Sequence, residues 1–141
     1  MISGSTICSS FKQELLKGMH NLLTDEFRIA LYEAVADLSS RSTVYTTDGE
    51  VAGIGYAAGG VVLINPQVLL DQDARVGFAT FDDPVWNDSV ITARGAMIYN
   101  QSAGQRAVAV IDFGVDRTSN HGPFQVQFPP PGATTALIRI Y

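Results

Sequence analysis

Few side chains in this sequence could act as nucleophiles, bases or metal ligands. Cys8 is the single cysteine, and His20 and His121 are the only histidines. Cys8 lies in a Ser-rich stretch with no base beside it in the sequence, and neither histidine has a carboxylate or second histidine at metal-ligand spacing on a shared element. A single cysteine also excludes an internal disulfide and fits a reducing cytoplasm. We therefore predict no catalytic residue, no metal site and no enzymatic activity.

The stretch GIGYAA, residues 53–58, matches the G-x-G-x-x-A form of the dinucleotide-binding fingerprint. That fingerprint needs a strand before it and a helix after it, because the amides at the helix N-terminus bind the pyrophosphate. Two further glycines and a β-branched run follow here, so no helix begins. The segment instead predicts a glycine-rich bend that passes close to another backbone, and we expect no cofactor.

Two acidic segments could bind a ligand. Asp71 and Asp73 resemble the start of a calcium-binding loop, but the glycine and the terminal glutamate of such a loop are misplaced, so we predict solvated acids. Trp86 could hold a sugar by stacking, with hydroxyl hydrogen bonds to the flanking acids, Asp82, Asp83 and Asp88. The same segment could equally be a turn whose tryptophan closes the end of a barrel.

The composition limits the classes of protein that fit. A chain of 141 residues is long enough for one domain with a substantial core. Charged residues make up 16% of it, against roughly 25% in an average soluble domain, so part of the surface is expected to be buried in an assembly. The net charge is −5 and no run of Lys and Arg occurs, which argues against nucleic-acid binding.

No membrane segment is expected. The N-terminus lacks a basic region and a continuous apolar region, so it does not resemble a signal peptide. Residues 51–70 carry no charge and are long enough to span a bilayer, but four glycines and the pair Asn65-Pro66 would interrupt a helix there.

One short helix is predicted near the N-terminus. Ser10 followed by Gln13 resembles a capping box that opens a helix over Phe11–Lys17. Its apolar face would carry Phe11, Leu15, Leu16 and Met19. The small polar residues before it indicate a flexible arm, which divides the chain into an arm, residues 1–10, and a single β-domain, residues 11–141.

Strand-like patterns fill the rest of the chain. They predict strands near residues 27–33, 61–65, 76–81, 90–99, 106–113, 124–128 and 136–141. Residues 31–38 could instead continue as a helix. Asp48-Gly49 is the sharpest turn signal, and residues 66–74 look like a polar loop. The predicted fold is mainly β: an antiparallel β-sandwich or barrel with one short N-terminal helix.

The hairpin over Ile91–Gly114 is apolar on both faces. In its second arm Ala107 and Ala109 lie on one face, and Val108 and Val110 lie on the other. Half-buried antiparallel strands normally alternate apolar with polar residues, so this hairpin needs a cover on each side. We expect the short helix to supply part of that cover and a neighbouring subunit to supply the rest.

Six blocks in this order resemble a widespread group of small virion structural proteins of tailed bacteriophages. The blocks are FKQELLKGMHNL, DEFRIALYEA, GEVAGIGYAAGGVVL, ARGAMIYN, RAVAVIDFG and FQVQFPPPGATTALIRI. The similarity runs from about Phe11 to the last residue, and the chain departs from the pattern at Pro66–Arg75 and Pro129–Pro131. The resemblance implies a β-rich head decoration ("cement") protein, or else a component of the tail or a fibre.

We expect a head decoration protein on the capsid surface of the virion, assembled in the host cytoplasm. Its partners would be the major capsid protein and copies of itself, as a homotrimer at local threefold positions. The alternative is a tail- or fibre-associated module that recognises a host-surface glycan through Trp86. The candidate interface residues are Ile7, Phe11, Tyr45, Tyr56, Trp86, Tyr99 and Tyr141.

Overall fold

The computed structural model describes residues 1–141 and is mainly β, with two antiparallel sheets and one short α-helix. This confirms the predicted fold class as a sandwich-like arrangement, and the sheets do not close into a barrel. The elements are β1 (Thr6–Ile7), α1 (Ser9–Leu16), β2 (Phe27–Tyr32), β3 (Val61–Val62), β4 (Gln67–Asp71), β5 (Val76–Thr80), β6 (Val85–Asn100), β7 (Arg106–Gln125) and β8 (Ile138–Ile140).

A long hairpin, β6–β7, forms the centre of the larger sheet. The strand order is β1-β7-β6-β2-β3 in this sheet and β4-β5-β8 in the smaller one. The polar hinge between the hairpin arms is a single 3-10 turn that ends at Gly104 in the left-handed conformation. The prediction of a separate strand at 124–128 was wrong, because β7 runs without a break to Gln125. Its alternation was right, since Phe124 and Val126 are buried and the two glutamines are exposed.

Both faces of the hairpin are covered by this chain itself. On one face Ile98 packs against the smaller sheet and the segment that leads to it, at Ala79, Phe81, Phe128, Leu137 and Ile138. On the other face the segment 43–60 lies across the sheet, and the ring of Tyr45 stacks on Tyr99 at 4.6 Å. Residues 107–110 are fully buried as a result. The expectation that a neighbouring subunit covers the second face was wrong.

The glycine-rich segment crosses the sheet at very short range, as the sequence predicted. Gly60 has φ +77°, and a Cβ on it would lie 1.7 Å from the carbonyl oxygen of Ile29. A Cβ on Gly55 would lie 2.1 Å from the carbonyl oxygen of Asp88. No helix follows the G-x-G-x-x-A match, so the segment is a backbone crossing.

The N-terminal helix differs from its prediction in its start and its buried face. The N-cap is Cys8 rather than Ser10, and no side chain caps the helix. Phe11 and Glu14 are its buried residues, whereas Leu16 is 91% exposed. The face of α1 that carries Glu14 points inward because the Glu14 carboxylate has polar partners outside the helix, His20 and Arg106. No helix of the structure is long and apolar enough to cross a membrane.

Residues 1–10 are packed on the domain, and two of them, Thr6 and Ile7, form a strand of the same sheet as the hairpin. β1 pairs with β7 through Thr6 and Val110, and Ile2 is buried against the domain, where it forms a bridge with Leu38. The first residues of α1 lie in this range as well. The division at residue 10 therefore does not coincide with a break in the structure.

The prediction of a polar loop at 66–74 was wrong, because most of this segment forms the strand β4. This strand pairs with β5 from Gln67 opposite Thr80 to Asp71 opposite Val76. The tight turn after β4 is closed by the Ala74 N–H, which donates to Asp71 Oδ1 at 3.0 Å.

The alternative prediction of a helix at 31–38 was also wrong, since β2 ends at Tyr32 and turns follow. β8 confirms the strand predicted in the last residues.

Replacing Gly60 by alanine is expected to cost more than about 3 kcal/mol in the free energy of unfolding, because the new Cβ collides with the Ile29 carbonyl. Gly18→Ala is the matched control. Gly18 also has a positive φ, of +70°, but has open space around it, so its cost should be about 1 kcal/mol. Urea unfolding of both variants measures the difference; equal costs would contradict the close crossing.

Candidate functional site

A buried polar cluster joins α1, the segment that follows it and the hairpin. Glu14 accepts a hydrogen bond from His20 Nε2 at 2.9 Å and another from Arg106 at 3.1 Å. His20 Nδ1 lies 2.9 Å from the amide nitrogen of Asn100, and that nitrogen also donates to Asp25 at 2.9 Å. The side chain of His20 is fully buried. The sequence did not reveal the cluster, because its members come from positions far apart in the chain.

The partners of Asn100 fix the tautomer of His20. Asn100 Oδ1 accepts from the Ser102 N–H, which leaves both amide hydrogens for His20 and Asp25. If the Asn100 amide group were flipped, its oxygen would face the Asp25 carboxylate and its NH2 group would face the Ser102 N–H. His20 Nδ1 is therefore an acceptor, the proton is on Nε2, and it is donated to Glu14.

This cluster has the residue types of an acid–base pair but no access for a substrate. The His20 and Glu14 side chains are 0% and 7% exposed, and their polar atoms are already paired with each other and with neighbours. Buried polar groups that satisfy one another fix the relative positions of the elements that carry them. The cluster holds α1 against the closed end of the hairpin, where β6 ends at Asn100 and β7 begins at Arg106.

Cys8 is equally enclosed. The thiol is fully buried, and burial, with the nearby Glu14 carboxylate adding to it, raises the pKa of Cys8 to about 12. A thiol is a nucleophile as its thiolate, so this side chain is unreactive in the folded protein.

Three tyrosines and a glutamate form a second cluster, on the opposite face of the sheet. Glu50 accepts hydrogen bonds from the hydroxyls of Tyr45 and Tyr56, each at 2.5 Å, and from the Gly59 N–H at 2.8 Å. Tyr99 donates to the Gly59 carbonyl at 2.6 Å. Burial first, and then the Glu50 carboxylate, raise the pKa of Tyr45 and Tyr56 above the ordinary value. These hydroxyls hold the glycine-rich segment in place.

Trp86 does not present a face to a sugar. Its ring is 5% exposed and packs between Tyr56 at 5.9 Å and Phe124 at 6.2 Å. Two of its neighbouring acids already have partners, since Asp82 accepts from Asn65 and Asp83 accepts from the Phe128 N–H. Neither interpretation of this segment is correct as stated, because Trp86 lies within strand β6 rather than in a turn, the sheets form no barrel, and the side chain is part of the core.

A groove of about 890 Å³ runs between the N-terminal elements and the C-terminal strand. One wall is formed by β1 and α1, and the other by residues 135–141, which include β8. Ile7, Leu15 and Leu137 lie in its walls together with three strongly exposed residues, Leu16, Ile140 and Tyr141. Seven of its thirteen lining residues are hydrophobic, so the groove is an open and partly apolar surface.

The charges in the groove are all positive. Lys12 and Arg139 line it, and no Asp or Glu does, although the chain as a whole carries a net charge of −5. Arg139 is fixed in position, because its guanidinium donates to the Ala133 carbonyl at 3.1 Å and lies 5.5 Å from the centre of the Tyr141 ring.

Open strand edges border the same region. β1 is one of the two outer strands of the larger sheet, and β8 is an outer strand of the smaller one, so each leaves backbone groups unpaired by any strand of this chain. β4 is the other outer strand of the smaller sheet, and its central residues, Val68, Leu69 and Leu70, are all exposed. An exposed apolar outer strand is a template for pairing with another chain.

The seven predicted interface residues fall into three groups. Ile7 and Tyr141 line the groove, and Tyr141 is 89% exposed. Phe11, Trp86 and Tyr99 are buried in this chain's own core. Tyr45 and Tyr56 are partly buried and are engaged with Glu50. The sequence analysis missed β4, which it assigned to a loop, and it also missed Lys12 and Arg139. No group of three or more His, Cys, Asp or Glu side chains that could hold a metal ion is present.

No known family model, curated protein or solved structure matches this chain.

Cys8 is expected to react with a thiol-specific disulfide reagent about a thousandfold more slowly in the folded protein than in denaturant, because its thiolate is scarce and buried. Ser3→Cys is the control, since it adds a thiol at an exposed position that should be labelled at once. Fast labelling of both thiols in native buffer would show that Cys8 is not buried in the folded protein.

Asp25→Asn is expected to reduce the loss of stability in acid. Hydrogen bonds from the Asn21 N–H, and then from Asn100, hold the pKa of Asp25 below its ordinary value of 3.8. A carboxyl with a lowered pKa contributes stability above 3.8 that is lost as the pH falls through its folded-state value. The free energy of unfolding should therefore fall less steeply in the variant below pH 3.8. Asp48→Asn, at an exposed side chain, is the matched control for the loss of one carboxyl group.

Proposed function

We propose that this protein is a structural subunit of a tailed-bacteriophage virion, most specifically a head decoration protein that binds the major capsid protein and stabilises its lattice. The proposal takes the resemblance of the six sequence blocks as its starting point. The observation that carries it is the apolar surface at open strand edges, where β4, β8 and the groove beside β8 offer both backbone groups and apolar side chains.

Open edges suit a subunit that works by contact with neighbours. A segment from another chain that adds to a sheet edge gains main-chain hydrogen bonds, and side-chain pockets give the contact its specificity. Stable protein interfaces bury roughly 1,600 Å² in total, and several edges on one small domain allow contacts of that size on more than one side. A decoration protein has the same requirement, since it contacts both the lattice and copies of itself.

The glycan-binding alternative has less support. It depended on Trp86 as a stacking platform, and that ring is buried between Tyr56 and Phe124. The buried His20–Glu14 pair gives no support to a catalytic role either, because no substrate can reach it. The function proposed here is therefore assembly, on the capsid surface of particles built in the host cytoplasm, without a cofactor.

Cryo-electron microscopy of particles from the phage that encodes this chain tests the location. We expect density that fits the two sheets and the β6–β7 hairpin, repeated over the head lattice and grouped about local threefold positions. Density confined to the tail or a fibre would overturn the head assignment in favour of the alternative. Particles without such density anywhere would overturn both.

A further inference from the structure

The strand β4 is apolar on both of its faces, although it is an outer strand. Val68 lies opposite Ala79, which lies opposite Ile138, so Val68 and Leu70 are on the face of the sheet that carries these two buried residues. Leu69 is on the other face. The three side chains of β4 are 44% to 61% exposed, and no lysine, proline or bulge protects the strand. Both faces of this edge therefore lack cover.

The occupant of this edge must be a strand that is itself apolar on both faces. A surface placed against one face of the sheet would cover either Leu69 or the pair Val68 and Leu70, whereas a strand that extends the sheet places a side chain beside each of them. Among the outer strands of this chain, β1 and β3 have two residues each, and β8 has Arg139 at its centre. The outer strand with the required pattern is β4 itself.

We propose that β4 of one copy pairs antiparallel with β4 of a second copy about a two-fold axis, which joins the two smaller sheets into one continuous sheet. A two-fold axis perpendicular to the sheet keeps the core-facing sides of both copies on the same side. The contact is isologous and closes at two copies, so β1, β8 and the groove stay free for other contacts. The inference goes beyond the proposed function, because it names the surface that joins two copies of the isolated protein.

Symmetry leaves one register that pairs the whole of β4. Opposite residues lie on the same face of a sheet, so two identical strands must be centred on a residue that faces its own copy. Centring on Leu69 pairs all five residues, with Val68 opposite Leu70 and, at each end, the Gln67 amide opposite the Asp71 carboxylate. Centring on Val68 or Leu70 leaves part of the strand unpaired, and the latter places Leu69 opposite Asp71. The register centred on Leu69 brings no like charges together.

Leu70 shows what this pairing supplies. Its neighbour within the sheet is Gly77, which has no side chain, and Leu70 is the most exposed of the three apolar residues. In the proposed register Val68 of the second copy lies directly opposite it, with the Cβ atoms about 5 Å apart. On the other face Leu69 meets its own copy. The pairing thus covers apolar side chains on both faces at once.

Disulfide formation by cysteine variants tests the register. Leu69→Cys places two thiols directly opposite each other, so mild oxidation of the full chain should give a covalent dimer about tenfold faster than the controls. Val68→Cys and Leu70→Cys are the matched controls, because in each the like cysteines are about 8 Å apart, too far for a disulfide. The double variant V68C/L70C should link again, since these residues oppose each other. Cys8 is buried and does not interfere.

Two outcomes would overturn the pairing. Either control variant that cross-links as fast as Leu69→Cys would show that the strands meet in another register. A Leu69→Cys variant that gives no covalent dimer at millimolar concentration would show that the two β4 edges do not meet. Since the test uses the isolated protein, this failure is distinct from failure of the virion assignment, which is decided by where the chain lies in the particle.

A charge at Leu69 gives a second test that involves no cysteine. Leu69→Lys brings two ammonium groups together on the axis, so it should weaken dimerisation by about fivefold or more in sedimentation velocity, and Leu69→Asp should do the same. A mixture of the two variants should associate again, because lysine then faces aspartate. Val35→Lys, at an exposed residue in a turn, is the matched control and should have no effect. A mixture that stays monomeric, with circular dichroism unchanged, would contradict the proposed register.

Discussion

The β6–β7 hairpin must be covered on both faces, and much of the remaining chain serves that requirement. Residues 107–110 and 96–99 are almost completely buried, which a sheet with one solvated face could not achieve. One cover is the smaller sheet, and the other is the glycine-rich segment. The second cover needs glycine, because at Gly55 and Gly60 any side chain would meet backbone atoms of the sheet. The polar cluster around Glu50 holds the glycine-rich segment in place, and the cluster around Glu14 holds α1 against the hairpin.

This use of the chain explains why the strand edges are open. The segment 43–60 lies across the larger sheet, and α1 is tied to the hairpin through Glu14, Arg106 and His20. Neither extends the smaller sheet, so β4 and β8 remain its outer strands. Natural proteins usually protect outer strands with lysine, proline or a bulge, but the exposed centre of β4 has none of these.

The sequence predicted what depends on local pattern and missed what depends on partners distant in the chain. The two-sided apolarity of the hairpin, the alternation at Phe124–Phe128 and the close approach at the glycines were all visible as spacing. The pairing of β4 with β5 was not, because QVLLD carries a weak strand pattern between polar residues and becomes a strand through its partner. The same holds for α1, whose orientation is set by the distant residues Arg106 and Asn100 rather than by its own apolar spacing.

The candidate interface residues illustrate the same limit. A tyrosine or tryptophan in a sequence can serve a core or a contact, and residue type does not distinguish them. Trp86 and Tyr99 became core residues because a covering segment exists for each, whereas Tyr141 lies past the last strand with no element over it. What distinguishes Tyr141 from Trp86 and Tyr99 is its position at an open edge of a sheet. The outer strand β4 and Tyr141, which follows the outer strand β8, are exposed because no further strand of this chain pairs with those edges.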